Sequence, residues 1–155
     1  MIKGTKNRQG KNWRTQISYR VNAAVTLRNR TEIVWFDKKG VFPEQGFLTF
    51  FDLLFKPPLK PYAGNLRLQY FETAGYNSRI YAYENDVLYS FSIPAFYDKG
   101  YRYYLNINYD INRKFSLWAR FTQTVYEGKS LIGSGLDEIK GKSKSEVKLQ
   151  ALYKF

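Results

Sequence analysis

Apolar and polar residues alternate along this chain with a period of two, in run after run. In WRTQISYRV, Trp13, Thr15, Ile17, Tyr19 and Val21 share one side, and Arg14, Gln16, Ser18 and Arg20 share the other. The same holds for Leu27, Ile33 and Trp35 against Arg28, Arg30 and Glu32, and for Leu66, Leu68 and Tyr70 against Asn65, Arg67 and Gln69. It holds again for Tyr101, Tyr103, Leu105, Ile107, Tyr109 and Ile111 against Arg102, Asn106, Asn108 and Asp110. In FSLWARFTQTV, Phe115, Leu117, Ala119, Phe121 and Val125 oppose Ser116, Arg120, Thr122 and Thr124, with Trp118 among the polar positions. GFLTFFDLLF is apolar on both sides apart from Thr49 and Asp52. Successive side chains of a strand point to opposite faces, so each run predicts a two-faced strand. No stretch keeps a helical period.

Turn residues separate the runs at DKKG (37–40), KPPLKP (56–61), AGYNS (74–78), YDKG (97–100) and DINR (110–113). All prolines fall in or beside these turns, as a sheet requires. The fold expected is all-β, an antiparallel up-and-down meander of about eight strands. It occupies 12–155, after a loop or disordered segment 1–11, with one long mobile loop at 127–145. The segment 78–94 reads as one long strand bulged near Asn85, or as a hairpin turning at Glu84–Asp86, which would raise the count to about nine.

The last strand raises a specific question. Val147, Leu149, Ala151, Tyr153 and Phe155 alternate with polar residues up to the terminal carboxylate, and such an aromatic end must be buried by something. Periodicity alone does not say whether the apolar sides face a core or lipid. Three features favour lipid. The runs last roughly nine to thirteen residues, which suits a tilted transmembrane strand. Aromatic residues gather at run ends (Trp13, Trp35, Phe36, Tyr62, Tyr101, Phe115, Tyr126, Tyr153, Phe155), as interfacial girdles do. The polar sides carry Arg, Asn, Gln and Thr, which suits a wet interior.

The final strand resembles the C-terminal signal by which outer-membrane β-barrels are recognised for assembly, carried here by Val147, Leu149, Ala151, Tyr153 and Phe155. From GFLTFFDLLFKPP through SRIYAYENDVLYSFSIPAFYDKGYRYYLNINYDI to the end, the chain is similar to the C-terminal part of a family of large outer-membrane barrel proteins, some with helix-hairpin-helix repeats upstream. That resemblance implies a transmembrane barrel or the C-terminal part of one, with outer-membrane lipid, the barrel-assembly machinery and an upstream part of the same barrel as partners. No helix-hairpin-helix pattern occurs in these residues, so no nucleic-acid role carries over. MIKGTKNRQGKNW contains no apolar segment of an export signal, so outer-membrane localisation implies a start or an N-terminal part beyond this sequence.

Charge and chemistry sharpen this only in part. Lys and Arg number 25 against 13 acids, a net charge of +12, which points to an anionic partner or environment. Arg14, Arg20, Arg28, Arg30, Arg67, Arg102 and Arg120 all oppose the apolar sides, so in a membrane barrel they form a basic lumen, some pairing with Glu32, Glu72 and Asp110. In a soluble barrel the same arginines, with Tyr104 and Trp118, would make an exposed basic surface for nucleic acid or another anion. A soluble lipid carrier with a hydrophobic cavity is a third reading. There is no histidine and no cysteine, which removes the commonest general base and the thiolate ligands. The two GKS triplets, at 128–130 and 141–143, lack the upstream glycine spacing and following helix of a phosphate loop. Glu84 and Asp86 form an acidic pair better explained as a turn, or as interior charges facing Arg79 or Arg102, than as acid–base catalysts. The expectation is a non-enzymatic anchor, scaffold or narrow pore, with no cofactor and no metal.

Overall fold

The structure, a computed structural model, describes residues 10–133, 135 and 138–155. Seven long strands form one antiparallel meander: β1 (Gly10–Arg20), β2 (Val25–Phe36), β3 (Glu44–Phe55), β4 (Tyr62–Thr73), β7 (Lys99–Asp110), β8 (Phe115–Tyr126) and β11 (Ser143–Tyr153). Four short strands lie in its connections, β5 (Ile80–Tyr81) paired with β6 (Ala95–Phe96), and β9 (Leu131–Ile132) paired with β10 (Ile139–Lys140). No α-helix occurs among the described residues, so no helix is long and apolar enough to cross a membrane.

The all-β meander expected from the alternation is present, with two corrections. The sheet has seven strands, not eight, because 78–94 is neither one long strand nor a hairpin turning at Glu84–Asp86. It leaves the sheet after β4 and lies against one face. Ile80 pairs with Phe96 and Glu84 bridges Ser92, and the excursion turns where Ser90 N donates to the Val87 carbonyl at 3.1 Å. Tyr89 takes a left-handed φ of 61° at this tip. Nor is the sheet a closed barrel: β1 and β11 form its two edges and do not pair among the described residues.

Connections differ sharply between the two ends. At one end lie 21–24, 56–61 and 111–114, all short. Two of them use the same device: Asn22 Oδ1 accepts from the amides of Ala24 and Val25 at 2.8 and 2.9 Å, and Asn112 Oδ1 accepts from those of Lys114 and Phe115 at 2.9 Å. An asparagine side chain imitating a backbone turn in this way makes a tight reversal. At the other end lie 37–43, 74–98 and 127–142, the last two long.

Register builds two contrasting faces. One is apolar and outward. Its central row runs Tyr19, Leu27, Leu53, Leu66, Leu105, Phe121, Val147 across all seven strands. Leu53, Leu68, Leu105, Ile107 and Leu149 are all exposed on it. Tyr70 and Tyr101 pack at a tilt toward the long-connection end, with centroids 5.2 Å apart, while Tyr62, Tyr109 and Tyr153 stand toward the other. The opposite face is polar, and it is the buried one: Arg30, Glu32, Asp52, Arg67, Gln69, Asn106, Arg120, Thr122 and Thr124 are all buried there. The excursion 79–98 covers them, with a small apolar cluster of Leu48, Phe50, Phe71, Ile80, Ala82 and Phe96 at its root. Gly46 permits this approach, because a Cβ there would lie 2.2 Å from the Ser78 carbonyl oxygen.

Candidate functional site

The polar face is a set of cross-strand rows. One row reads Ser18, Arg28, Asp52, Arg67, Tyr104, Thr122, Glu146, and the next reads Arg20, Thr26, Leu54, Asn65, Asn106, Arg120, Lys148. Arg67 and Asp52, directly opposite each other, form a bidentate pair with Nε–Oδ1 at 2.6 Å and Nη2–Oδ2 at 2.8 Å. Both are fully buried. The Arg67 guanidinium also lies 3.5 Å from the Phe50 ring centroid and 5.3 Å from that of Tyr104, and Arg120 lies 4.9 Å from Tyr104. Rings and guanidinium groups therefore alternate across neighbouring rows, from Phe50 through Arg67 and Tyr104 to Arg120, with Arg67 between two aromatic faces. Glu32 is held by Arg30 and, at 3.0 and 2.9 Å, by both nitrogens of the Arg14 fork.

The excursion is bound to this face mainly by charge. Glu84, with no solvent exposure, accepts two hydrogen bonds from Arg102 at 2.7 and 2.8 Å and another from Arg120. Asp86 Oδ2 lies 2.6 Å from Arg120 Nη1 and accepts from Lys148 at 2.8 Å, while Asp86 Oδ1 accepts from the Val87 amide. Between them, the Asn85 amide donates to the Tyr104 hydroxyl at 3.2 Å, and Asn106 Nδ2 donates to the Asn85 carbonyl at 2.8 Å. Arg67 Nη1 donates to the Tyr83 carbonyl at 2.7 Å. Residues 83–86 are thus latched to three consecutive strands of the wall, β4, β7 and β8, and to the edge strand β11.

Burial pushes the Asp86 carboxyl up, but its bonds to Lys148, to the Val87 amide and to Arg120 outweigh this and hold it below the usual aspartate range. A depressed folded value means that the contribution is complete above the ordinary aspartate value of about 4 and is lost as pH falls through the lower folded value. A spin label at Tyr89→Cys, unique because the chain has no cysteine, is therefore expected to be immobile at neutral pH and to become mobile only below roughly pH 4. A label as immobile in an Asp86→Asn background as in the parent at neutral pH would show that Asp86 does not hold the tip.

Of the arginines expected on the polar side, Arg14, Arg28, Arg30, Arg67, Arg102 and Arg120 all project there, but they meet carboxylates rather than open space. Arg20 shares the face at the end of its strand, and its Nε donates to the Asn22 carbonyl at 3.2 Å. Glu32 is a partner as expected; Glu72 and Asp110 are not. Glu72 lies on the outward side, bonded to the Tyr70 hydroxyl and 4.0 Å from Lys99, and Asp110 makes no ion pair among the described residues. Of the acidic pair, Glu84 meets Arg102 as one expected alternative had it, whereas Asp86 meets Arg120 and Lys148 rather than Arg79 or Arg102; the partners missed were Asp52 and Lys148. Asp52 did carry a signal, as the lone acid of an apolar run. Val147, Leu149, Ala151 and Tyr153 sit on the outward face, and Phe155 packs edge-on against Tyr153 with centroids 5.4 Å apart.

Several polar groups on the outward face find partners within the sheet. Asn29 donates to the Phe50 carbonyl at 2.9 Å, Thr31 and Thr49 share a hydrogen bond at 3.1 Å, and the Tyr103 hydroxyl bonds Gln123. Among the described residues no group of acids, histidines or cysteines converges as a metal site would need. No family model, curated protein or solved structure matches the chain.

Proposed function

We propose that this chain forms the wall of an integral outer-membrane β-barrel and serves as an anchor or scaffold, with the excursion 79–98 as an internal plug. One observation carries the reading: burial and polarity are inverted. Charged side chains are enclosed and ion-paired, with amides enclosed among them, while leucine, isoleucine and tyrosine cover the exposed side. Water would favour the opposite arrangement, since removing apolar surface from it is worth about 25 cal/mol per Å². Hydrocarbon favours the observed one, and it also demands that outward polar groups find partners within the protein, as Asn29, Thr31, Thr49 and Gln123 do. From Tyr101 to Tyr109 β7 rises roughly 26 Å along its own direction. At a tilt of about 40° this gives roughly 20 Å across the membrane, close to the height of such apolar bands.

The sidedness follows. Short connections at one end and long ones at the other match the periplasmic turns and external loops of outer-membrane barrels. The C-terminus lies at the short-turn end, which we assign to the periplasm. The buried ion pairs make the interior nearly neutral where the plug lies, so an anchoring role is favoured over an anion pore. The soluble nucleic-acid reading loses its surface, because Arg30, Arg67, Arg120 and Tyr104 are buried. A lipid carrier would need an apolar cavity where these charges are.

Brominated lipids test the reading through the tryptophans. Trp13 and Trp35 lie on outward positions, and Trp118 lies on the polar face, opposite Asn108 and Gln150. In vesicles the Trp118→Phe variant, which keeps the outward pair, should lose most of its fluorescence to bromine quenching. The double variant W13F/W35F, which keeps only Trp118, should lose little. Equal quenching of both, or recovery of the chain as a soluble protein, would overturn the membrane assignment.

A further inference from the structure

The two edges of the sheet constrain what completes it. Seven strands that alternate in direction leave β1 and β11 pointing the same way. Joining them directly would make a parallel seam in an otherwise antiparallel cylinder. An all-antiparallel cylinder has an even strand number, so the missing wall must contribute an odd number. A second copy also has seven strands, but pairing it antiparallel to β1 or β11 turns it upside down and puts its long connections on the wrong side of the membrane.

The plug sets a lower limit. An eight-stranded cylinder is only wide enough for its own side chains to fill. Here a whole hairpin-like excursion lies against the inner face, and its far side is uncovered: Tyr83 and Phe91 pack together with centroids 5.7 Å apart, yet Tyr89 and Phe91 are 86% and 76% exposed. One additional strand therefore does not suffice. The edges are also electrically incomplete. Arg20 on β1 and Lys144 on β11 make no ion pair among the described residues. Arg14 is half exposed despite its bond to Glu32, at the rim of a groove of about 280 Å³ between β1 and the plug.

We infer that this sheet is one wall of a wider barrel, closed by at least three, and an odd number of, strands from a sequence other than this chain. Their inward side carries acidic residues opposite β1 and β11, and apolar residues over the plug. This rests on the membrane reading above. The wall is required to be outwardly apolar, so each of its strands alternates as these do.

Photo-crosslinking at the two edges tests it. The full chain is expressed in its native cells with p-benzoylphenylalanine in place of Gln16 on β1 or of Glu146 on β11, both exposed on the polar side. Crosslinked peptides are then identified by mass spectrometry. The expected result is one alternating strand peptide at each position, from outside residues 1–155, with acids among its polar positions. The two peptides should be separated by an odd number of further strands, one at the least. Crosslinking of position 16 to β11 of the same chain, to a second copy, or to a peptide without the alternation would overturn the inference. So would the absence of any crosslink at either position. Tryptophan quenching on the same membranes separates the outcomes: a quenched chain with self-paired edges refutes the wider wall alone, and an unquenched one refutes the membrane reading as well.

Discussion

Replacing Glu84 by glutamine is expected to release the plug while leaving the wall folded. Among the described residues Glu84 is the only carboxylate within bonding distance of Arg102, and it shares Arg120 with Asp86. Both guanidinium groups are well buried, Arg120 at 2% side-chain exposure and Arg102 at 15%. Glutamine keeps the shape and two acceptor lone pairs but removes the charge that neutralises two cations. Breaking a buried pair by deleting one partner costs about 3–5 kcal/mol, because the other charge stays desolvated and unpaired. The cost falls on the docked state alone, since the arginines belong to β7 and β8 and are relieved when the loop lifts away. At 1.4 kcal/mol per factor of ten, exchange of the amides in 80–96 should accelerate on the order of 10²–10³-fold. The Glu84 amide, bonded to the Ser92 carbonyl at 3.0 Å, is a direct reporter. Amides of β3, β4 and β7 should keep their protection. Acceleration below tenfold, or equal loosening of the strands, would show that apolar packing at the root, not charge, holds the plug.

The sequence shows why the wall was legible and the plug was not. Alternation assigns each residue to a face, and those assignments hold from Trp13 to Tyr153. The excursion alternates too, because it also runs extended across a surface, with Ile80, Ala82 and Glu84 toward the wall and Tyr81 and Tyr83 away. Period two reports two unlike sides, not membership of a sheet. Removing 78–94 from the strand count settles the topology: with seven strands every short turn falls at one end, whereas eight strands put the Asn22 turn among the long loops. Pairing of charges was less legible, because a face does not specify a register. Glu72 and Asp110 are nearby in sequence pattern but lie on the outward side and at the strand end. Asp52 meets Arg67 because β3 and β4 place them directly opposite. The pairing of Glu84 with Arg102 is one of the alternatives the sequence offers, but its bond to Arg120, and those of Asp86 to Arg120 and Lys148, come from a fold-back that no local pattern encodes.

The inversion of polarity has its most direct consequence at Leu105. This residue projects outward from the middle of β7, between Leu66 and Phe121 in register, and it is 43% exposed. On a surface facing water, Leu105→Arg would change stability by no more than about 0.5 kcal/mol, since it breaks no buried contact network. Facing the middle of a bilayer it should cost about 2–4 kcal/mol, because the guanidinium must be dehydrated or must distort the lipid to reach water. Depth is the signature. Ser143 also faces outward, but it begins β11 at the long-connection end, opposite Val125. There an arginine reaches the head groups, and Ser143→Arg should cost only about 0–1 kcal/mol. Urea unfolding of the two variants in lipid vesicles, with Leu105→Ala as the control for lost apolar contact, measures the difference. A Leu105→Arg cost equal to that of Ser143→Arg would mean that the row from Tyr19 to Val147 does not lie in hydrocarbon. A gap of about 2 kcal/mol or more would place Leu105 in the hydrocarbon layer and, because side chains alternate, the arginine rows of the opposite face inside the barrel.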